Sequence, residues 1–318
     1  MRTLVVGAGA TGGYFGARLA ESGADVTFLV RPARAEKLAA QGLVVASPLG
    51  DLRLADPRTI TADRLGRADP FDLVLLSCKA YDLDAAMTDL APAVGVGTAV
   101  LPVLNGMAHL DALDARFGAG RVLGGCCAIA AMLMPDGAVR HMSELCSITY
   151  GERDGSRSGR IAAVDALMQG AERSPKFQAR ASDAILLEMW EKWVFLATLA
   201  GATTLTRAAV GDIVAAPGGA DLIAALHAEC TGVAAASGYA PREAVAQRAR
   251  AQLTAAGSTF TASMLRDIEG RGRIEADHVI GDLLGRGRQL APEAGYPVLE
   301  RVYTALKTYE ARRAREGA

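Results

Sequence analysis

Aromatic side chains are scarce, at 5% of 318 residues, so any large core has to be built mainly from Ala, Leu and Val. The four histidines are widely scattered and the five cysteines contain no Cys-x-x-Cys pair, which leaves no spacing suited to a structural metal. Five is an odd number, and Cys126 and Cys127 are adjacent, where a mutual disulfide would be strained. Reduced thiols in a cytoplasmic protein are expected. An excess of either charge is also missing: the net charge is −1 and no long basic run occurs. Binding to nucleic acid or to an acidic membrane surface has no electrostatic footprint here. The uncharged stretches at residues 122–135 and 193–206 are shorter than the ~20 apolar residues that span a bilayer. No secretory segment is visible, because Met1-Arg2 leads straight into a short apolar run and then glycines.

What is present is a soluble globular balance, 51% hydrophobic and 22% charged, with length for two domains of ~100–200 residues each. In the first third, short apolar runs at 4–6, 26–30, 73–77 and 99–104 alternate with helical periods such as 14–21 and 83–90. Strand and helix in alternation predict a parallel, doubly wound sheet. Residues 44–55 and 138–150 read as hairpins, with turns at 48–51 and around Ser143-Glu144. Beyond residue 181 only helical periods are found, beginning at Ser182 or Asp183 as a helix cap. The expected organisation is therefore a Rossmann-type domain at 1–181 followed by an all-α domain at 182–318.

Gly7-Ala8-Gly9-Ala10-Thr11-Gly12 is a GxGxxG run, weak alone but specific between a strand and a helix. The first glycine permits the tight turn, the second a close approach of pyrophosphate, and the third close packing of helix on strand. Free N–H groups at the helix start then face the phosphates. An NAD enzyme usually ends its second strand with Asp or Glu to hold the ribose 2′-hydroxyl. Here that strand ends in Arg31, with Arg34 nearby, and a guanidinium suits a 2′-phosphate. NADP is favoured over NAD, and FAD less than either. Lys79 and Asn105 follow the strands at 73–77 and 99–104, at carboxyl ends where ligands of such sheets bind. The Asn105-Gly106 pair also fits simple turn chemistry.

These residues resemble the ketopantoate reductases (2-dehydropantoate 2-reductases). The resemblance runs over nearly the whole chain: the glycine motif with Arg31, Lys79 in Cys-Lys-Ala, and Leu104-Asn105-Gly106. It continues through Glu188-Met189-Trp190-Glu191-Lys192, the run from Ala262 to Ile268, and Ile274-Glu275-Ala276-Asp277-His278. It implies an NADPH-binding Rossmann domain, a helical domain, a substrate in the cleft between them, and reduction of ketopantoate to pantoate in pantothenate biosynthesis. Position by position it implies that Lys192 is the catalytic lysine and that Asn105 lies near nicotinamide and substrate. Ser263 becomes a substrate contact, Glu275 an acid at the junction of cofactor and substrate, and Ala131 a backbone position beside the nicotinamide.

The departures are specific. Where the family places asparagines that hold the substrate's hydroxyl and carboxylate, this chain has Leu196, Ala200, Val210 and Phe260. A site built to bond a polar group discriminates through that bond, so a more apolar 2-oxo acid is an alternative substrate. From spacing alone, Lys192 also reads as a lysine snorkelling from a buried helix, and Glu275 as an acid favoured by a helix dipole in the first turn after Gly270-Arg271-Gly272. Ser263 is placed within a helix at 259–268. His278 reads as a surface or hydrogen-bonded histidine without a metal. Rival functions are a 3-hydroxy acid or opine-type dehydrogenase and a non-catalytic NADP sensor. A homodimer is open, through apolar surface on the helices.

Overall fold

Apolar runs of four or five residues, buried on both faces, form the parallel strands at the centre of the first unit. In the computed structural model, which describes residues 1–66, 70–170 and 176–317, the chain begins β1 (Arg2–Val6), α1 (Ala10–Glu21), β2 (Asp25–Leu29), α2 (Pro32–Gln41), β3 (Leu43–Ala46), β4 (Leu52–Leu54) and β5 (Thr59–Ile60). It continues through β6 (Leu73–Leu76), α3 (Leu83–Leu90), β7 (Ala99–Pro102), α4 (Ala108–Phe117), β8 (Gly124–Leu133), β9 (Val139–Gly151), α5 (Gly159–Gln169) and β10 (Gln178–Ala181). One sheet has the order β5-β2-β1-β6-β7 with every neighbouring pair parallel. Leu4, Leu73, Leu75 and Leu101 are fully buried in it.

A second sheet, β10-β9-β3-β4 with β8 also on β9, packs into the same core. β3 and β4 form the antiparallel hairpin expected at 44–55. The hairpin expected at 138–150 is absent: β9 is one continuous strand paired antiparallel with β8. The reversal lies earlier, where Met134 N–H bonds the Ala138 carbonyl and Gly137 takes a φ of +94°. Ser143 and Glu144 instead sit where the register shifts between Ile129 and Ala131 of β8, so their polarity marks an irregularity within a strand.

α1 carries an unusual buried charge. Arg18 has no exposed surface; its guanidinium bonds Glu21 at 2.9 Å and the Gly50 carbonyl, and lies 5.3 Å from the Tyr14 ring. The turn at 48–51 is thereby tied to the helix that follows the glycine run.

The remaining elements are α6 (Ile185–Thr206), α7 (Val210–Ala215), α8 (Gly219–Ala236), α9 (Glu243–Leu253), α10 (Ser263–Glu269), a π-helical turn (Asp277–Gly281), α11 (Asp282–Leu290) and α12 (Pro297–Arg315). α6 starts after a turn in which Ser182 Oγ accepts the Ala184 N–H. The fold is thus a Rossmann-type parallel sheet followed by helices, the class the sequence leads one to expect. Two compact units result: Met1–Leu104 with His109–Ile185, and Asn105–Ala108 with Leu186–Ala318. Among the described residues no helix is long and apolar enough to cross a membrane.

Candidate active site

The glycine run opens α1 as its spacing predicts. Gly7 takes a φ of +92°, a conformation that favours glycine, and its N–H bonds the Leu29 carbonyl. A Cβ on Gly12 would come within 2.2 Å of both the Gly7 carbonyl and Ser77 Oγ, so only glycine lets the helix approach the strands this closely. A Cβ on Gly9 would meet nothing within 4 Å, so the backbone there borders open space. The first turn of α1, with Ala10 and Thr11, has no acidic residue and no side-chain cap. Its N–H groups and positive dipole end suit the phosphates of a dinucleotide.

Arg31 stands at the end of β2 with its side chain 73% exposed and 3.3 Å from the Asp82 carboxylate. Lys79 precedes the short turn that contains Asp82, so the two cations follow the carboxyl ends of β2 and β6, the strands on either side of β1. Arg34 is engaged with backbone carbonyls. Its Nε and Nη2 donate to the Ala8 carbonyl and its Nη1 to that of Gly137, which braces the glycine loop from below.

In the helical unit Lys192 Nζ donates to Asn105 Oδ1 at 3.1 Å. Its neighbours on α6 are both fixed. Glu191, 7% exposed, accepts the Arg242 N–H at 2.9 Å and receives its guanidinium through two further bonds. Trp193 Nε1 donates to the Val279 carbonyl in the π-helical turn at 2.9 Å. Lys192 therefore leaves a helix that is locked on both sides. That turn also carries His278, whose imidazole hydrogen-bonds the Asn105 backbone. Burial holds the His278 pKa below its usual value, against the opposing pull of Glu275 and Asp282. Gly106 has a φ of +78°, and a Cβ there would lie 2.8 Å from the His278 carbonyl oxygen, so the turn after Asn105 closes against His278 only with glycine. Of the two alternatives for His278, surface or hydrogen-bonded, the second holds; its tie to the Asn105 backbone is what sequence spacing does not show.

Glu275 is 8% exposed and lies just before the π-helical turn, not in a first α-helical turn, with its carbonyl accepting the Val279 N–H. Ser263 is the first residue of α10 and is exposed; residues 259–262, expected as helix, are not helical. No hydrogen bond joins Ser263 to Lys192 or Asn105 among the described residues. Ala131 lies in β8 beside the register shift, paired with His141. Of the positions where asparagines were expected, Ala200 and Val210 are buried at 4% and 0%, whereas Leu196 is half-buried and Phe260 is 43% exposed.

A glycine turn that opens a Rossmann-type helix, and a helical unit that presents a lysine–asparagine pair, suit a nicotinamide-dependent oxidoreductase acting on a CH–OH group. Residues 3–155 match the family model for "Ketopantoate reductase PanE/ApbA", and residues 184–310 match that for its C-terminal domain. The chain belongs to the ketopantoate reductase family. It is 37% identical over 311 residues, 98% of this chain and 99% of the relative, to the uncharacterized oxidoreductase YkpB of Bacillus subtilis. The crystal structure of 2-dehydropantoate 2-reductase from Geobacter metallireducens GS-15 superposes with a TM-score of 0.86 at 28% identity, covering 97% of this chain and 99% of that one. D-mandelate dehydrogenase, in a ternary structure with NADH and anilino(oxo)acetate, shares the fold at TM-score 0.85 and 21% identity, over 99% of each chain.

Proposed function

We propose that the protein reduces a 2-oxo acid to the 2-hydroxy acid at the expense of NADPH, with Lys192 as proton donor. The observation that carries this is the Lys192–Asn105 hydrogen bond, which fixes an ammonium group on a helix whose neighbouring residues are themselves held. When bound, NADPH would supply the two electrons of reduction as a hydride to the carbonyl carbon, leaving NADP⁺. Lys192 Nζ polarises the carbonyl oxygen, stabilises the charge that grows on it, and gives it a proton, which water then replaces on the lysine. Asn105 holds Nζ in place, His278 and Gly106 hold the Asn105 backbone, and Ser263 bonds the substrate carboxylate. Glu275 sets the electrostatics around His278 and the nucleotide end of the site. Arg31 and Lys79 take the adenosine phosphate, and Ala131 lies beside the nicotinamide. Because the fold of D-mandelate dehydrogenase also carries NADH, the choice of NADPH rests on Arg31.

The Geobacter relative's substrate, 2-dehydropantoate, belongs to this class, and its reduction to pantoate is the reference reaction. The test is NADPH oxidation against a panel of 2-oxo acids with wild type and Lys192→Ala. Turnover of at least one acid and a loss of kcat of about 10²-fold or more in the variant are expected. Tight NADPH binding without turnover of any acid would instead identify a nucleotide sensor.

A further inference from the structure

From Trp193 to Thr204 the surface of α6 is closed except at two residues, Phe195 and Leu196; the rest are buried. Those two stand three and four residues after Lys192, which puts them on its face of the helix, one turn along. The ring of Phe195 stacks with that of Phe260, centroids 6.1 Å apart and planes 27° from parallel. Phe260 is held by its backbone: its carbonyl accepts the Val210 N–H at 3.0 Å and its N–H donates to Ser258 Oγ at 3.2 Å. Its ring is nonetheless 43% exposed, an uncommon state for a large aromatic side chain fixed in this way. It lies three residues before Ser263.

The hydroxyls of α6 in its buried middle offer no help to a polar ligand. Thr198, Thr203 and Thr204 each donate to a carbonyl one turn earlier, at Val194, Leu199 and Ala200, and all three are buried. A substrate hydroxyl beyond Lys192 would therefore lose water and find no partner on this helix, a cost that disfavours it against an apolar side chain.

We infer that Phe195, Leu196 and Phe260 form an aromatic wall that selects 2-oxo acids bearing an aryl or arylmethyl side chain, with Phe260 as the specificity-determining residue. The inference rests on the 2-oxo acid reductase reading above, and the reaction is the one balanced there. The carboxylate is taken by Ser263, the carbonyl oxygen by Lys192, and the aryl ring stacks on the Phe195–Phe260 pair.

The test compares kcat/KM for phenylglyoxylate, 2-oxo-3-phenylpropanoate, 2-dehydropantoate and pyruvate in wild type, Phe260→Asn and Phe260→Leu. Aromatic stacking adds to area burial, so wild type should favour the aryl acids over 2-dehydropantoate by about tenfold or more. Phe260→Asn should lower kcat/KM for the aryl acids about tenfold, chiefly through KM, and leave pyruvate nearly unchanged; Phe260→Leu should fall between. Because Phe260 is exposed, neither variant threatens the fold, and a melting curve checks this. Wild type preferring 2-dehydropantoate, or a Phe260→Asn loss equal for all four acids, overturns the aromatic wall while leaving the reductase intact. No turnover of any acid removes both.

Discussion

Lys192 and Asn105 meet at 3.1 Å although they stand 87 positions apart in the chain, and Asn105 reaches the lysine from the loop after β7 rather than from a helix. A hydrogen bond to a charged group contributes about 1.5–3 kcal/mol. Asn105→Ala should therefore lower kcat about 10- to 100-fold while the melting temperature changes little. Steady-state kinetics and a melting curve on the same preparation check this; an unchanged kcat would show that Nζ does not depend on Asn105.

Arg31→Ala should weaken NADPH and spare NADH. The lost contact is a charge-assisted one, so the rise in KM for NADPH should be about 10- to 100-fold. Asp82, 3.3 Å from that guanidinium, would then have no cation from β2, and NADH should bind no worse than in wild type. Equal losses for both nucleotides would sink the assignment of Arg31 to the 2′-phosphate.

Arg18 is expected to be a stability residue. Removing one partner of a buried ion pair costs roughly 3–5 kcal/mol, and here it also frees the Gly50 carbonyl and strips the Tyr14 face of its cation. Arg18→Ala should lower denaturant-derived stability by about 3 kcal/mol. A loss below about 1 kcal/mol, the value of a surface pair, would show that the buried contact contributes little.

Acid should destabilise the fold through its histidines. His227 is 5% exposed with no partner for Nε2 among the described residues, and burial, aided by Arg250, lowers its pKa. The unfolded chain then takes up the proton first. Stability is complete above the ordinary histidine value of about 6.5 and falls as pH drops below it. Burial lowers the pKa of His141 and His278 in the same direction. Melting temperatures between pH 5 and 7.5 should fall on the acid side, and His227→Leu should reduce that slope without abolishing it. An unaltered slope in the variant would clear His227.

The parallel strands of the nucleotide domain were legible because their two buried faces demand uninterrupted apolar runs, and the glycine turn because its spacing has a steric purpose. β9 was misread since Ser143 and Glu144 look like a turn when the register shift opposite them is invisible. The lysine and its asparagine could be named from resemblance, but their bond could not, because it depends on packing between distant parts of the chain. The same holds for His278 at the Asn105 backbone and for Phe195 against Phe260. Residue type announced the missing asparagines; only burial told which replacements, Leu196 and Phe260, remain accessible to a ligand.

The grouping of Asn105–Ala108 with the helical unit constrains any attempt to divide the protein. A fragment beginning at Leu186 contains Lys192 but neither its hydrogen-bond acceptor nor the glycine that closes on His278. A fragment ending at Ile185 contains both of those without the helix they serve. Swapping nucleotide domains between relatives at that single junction would accordingly transplant part of the other unit's lysine environment, and a working chimera needs residues 105–108 to travel with the helices.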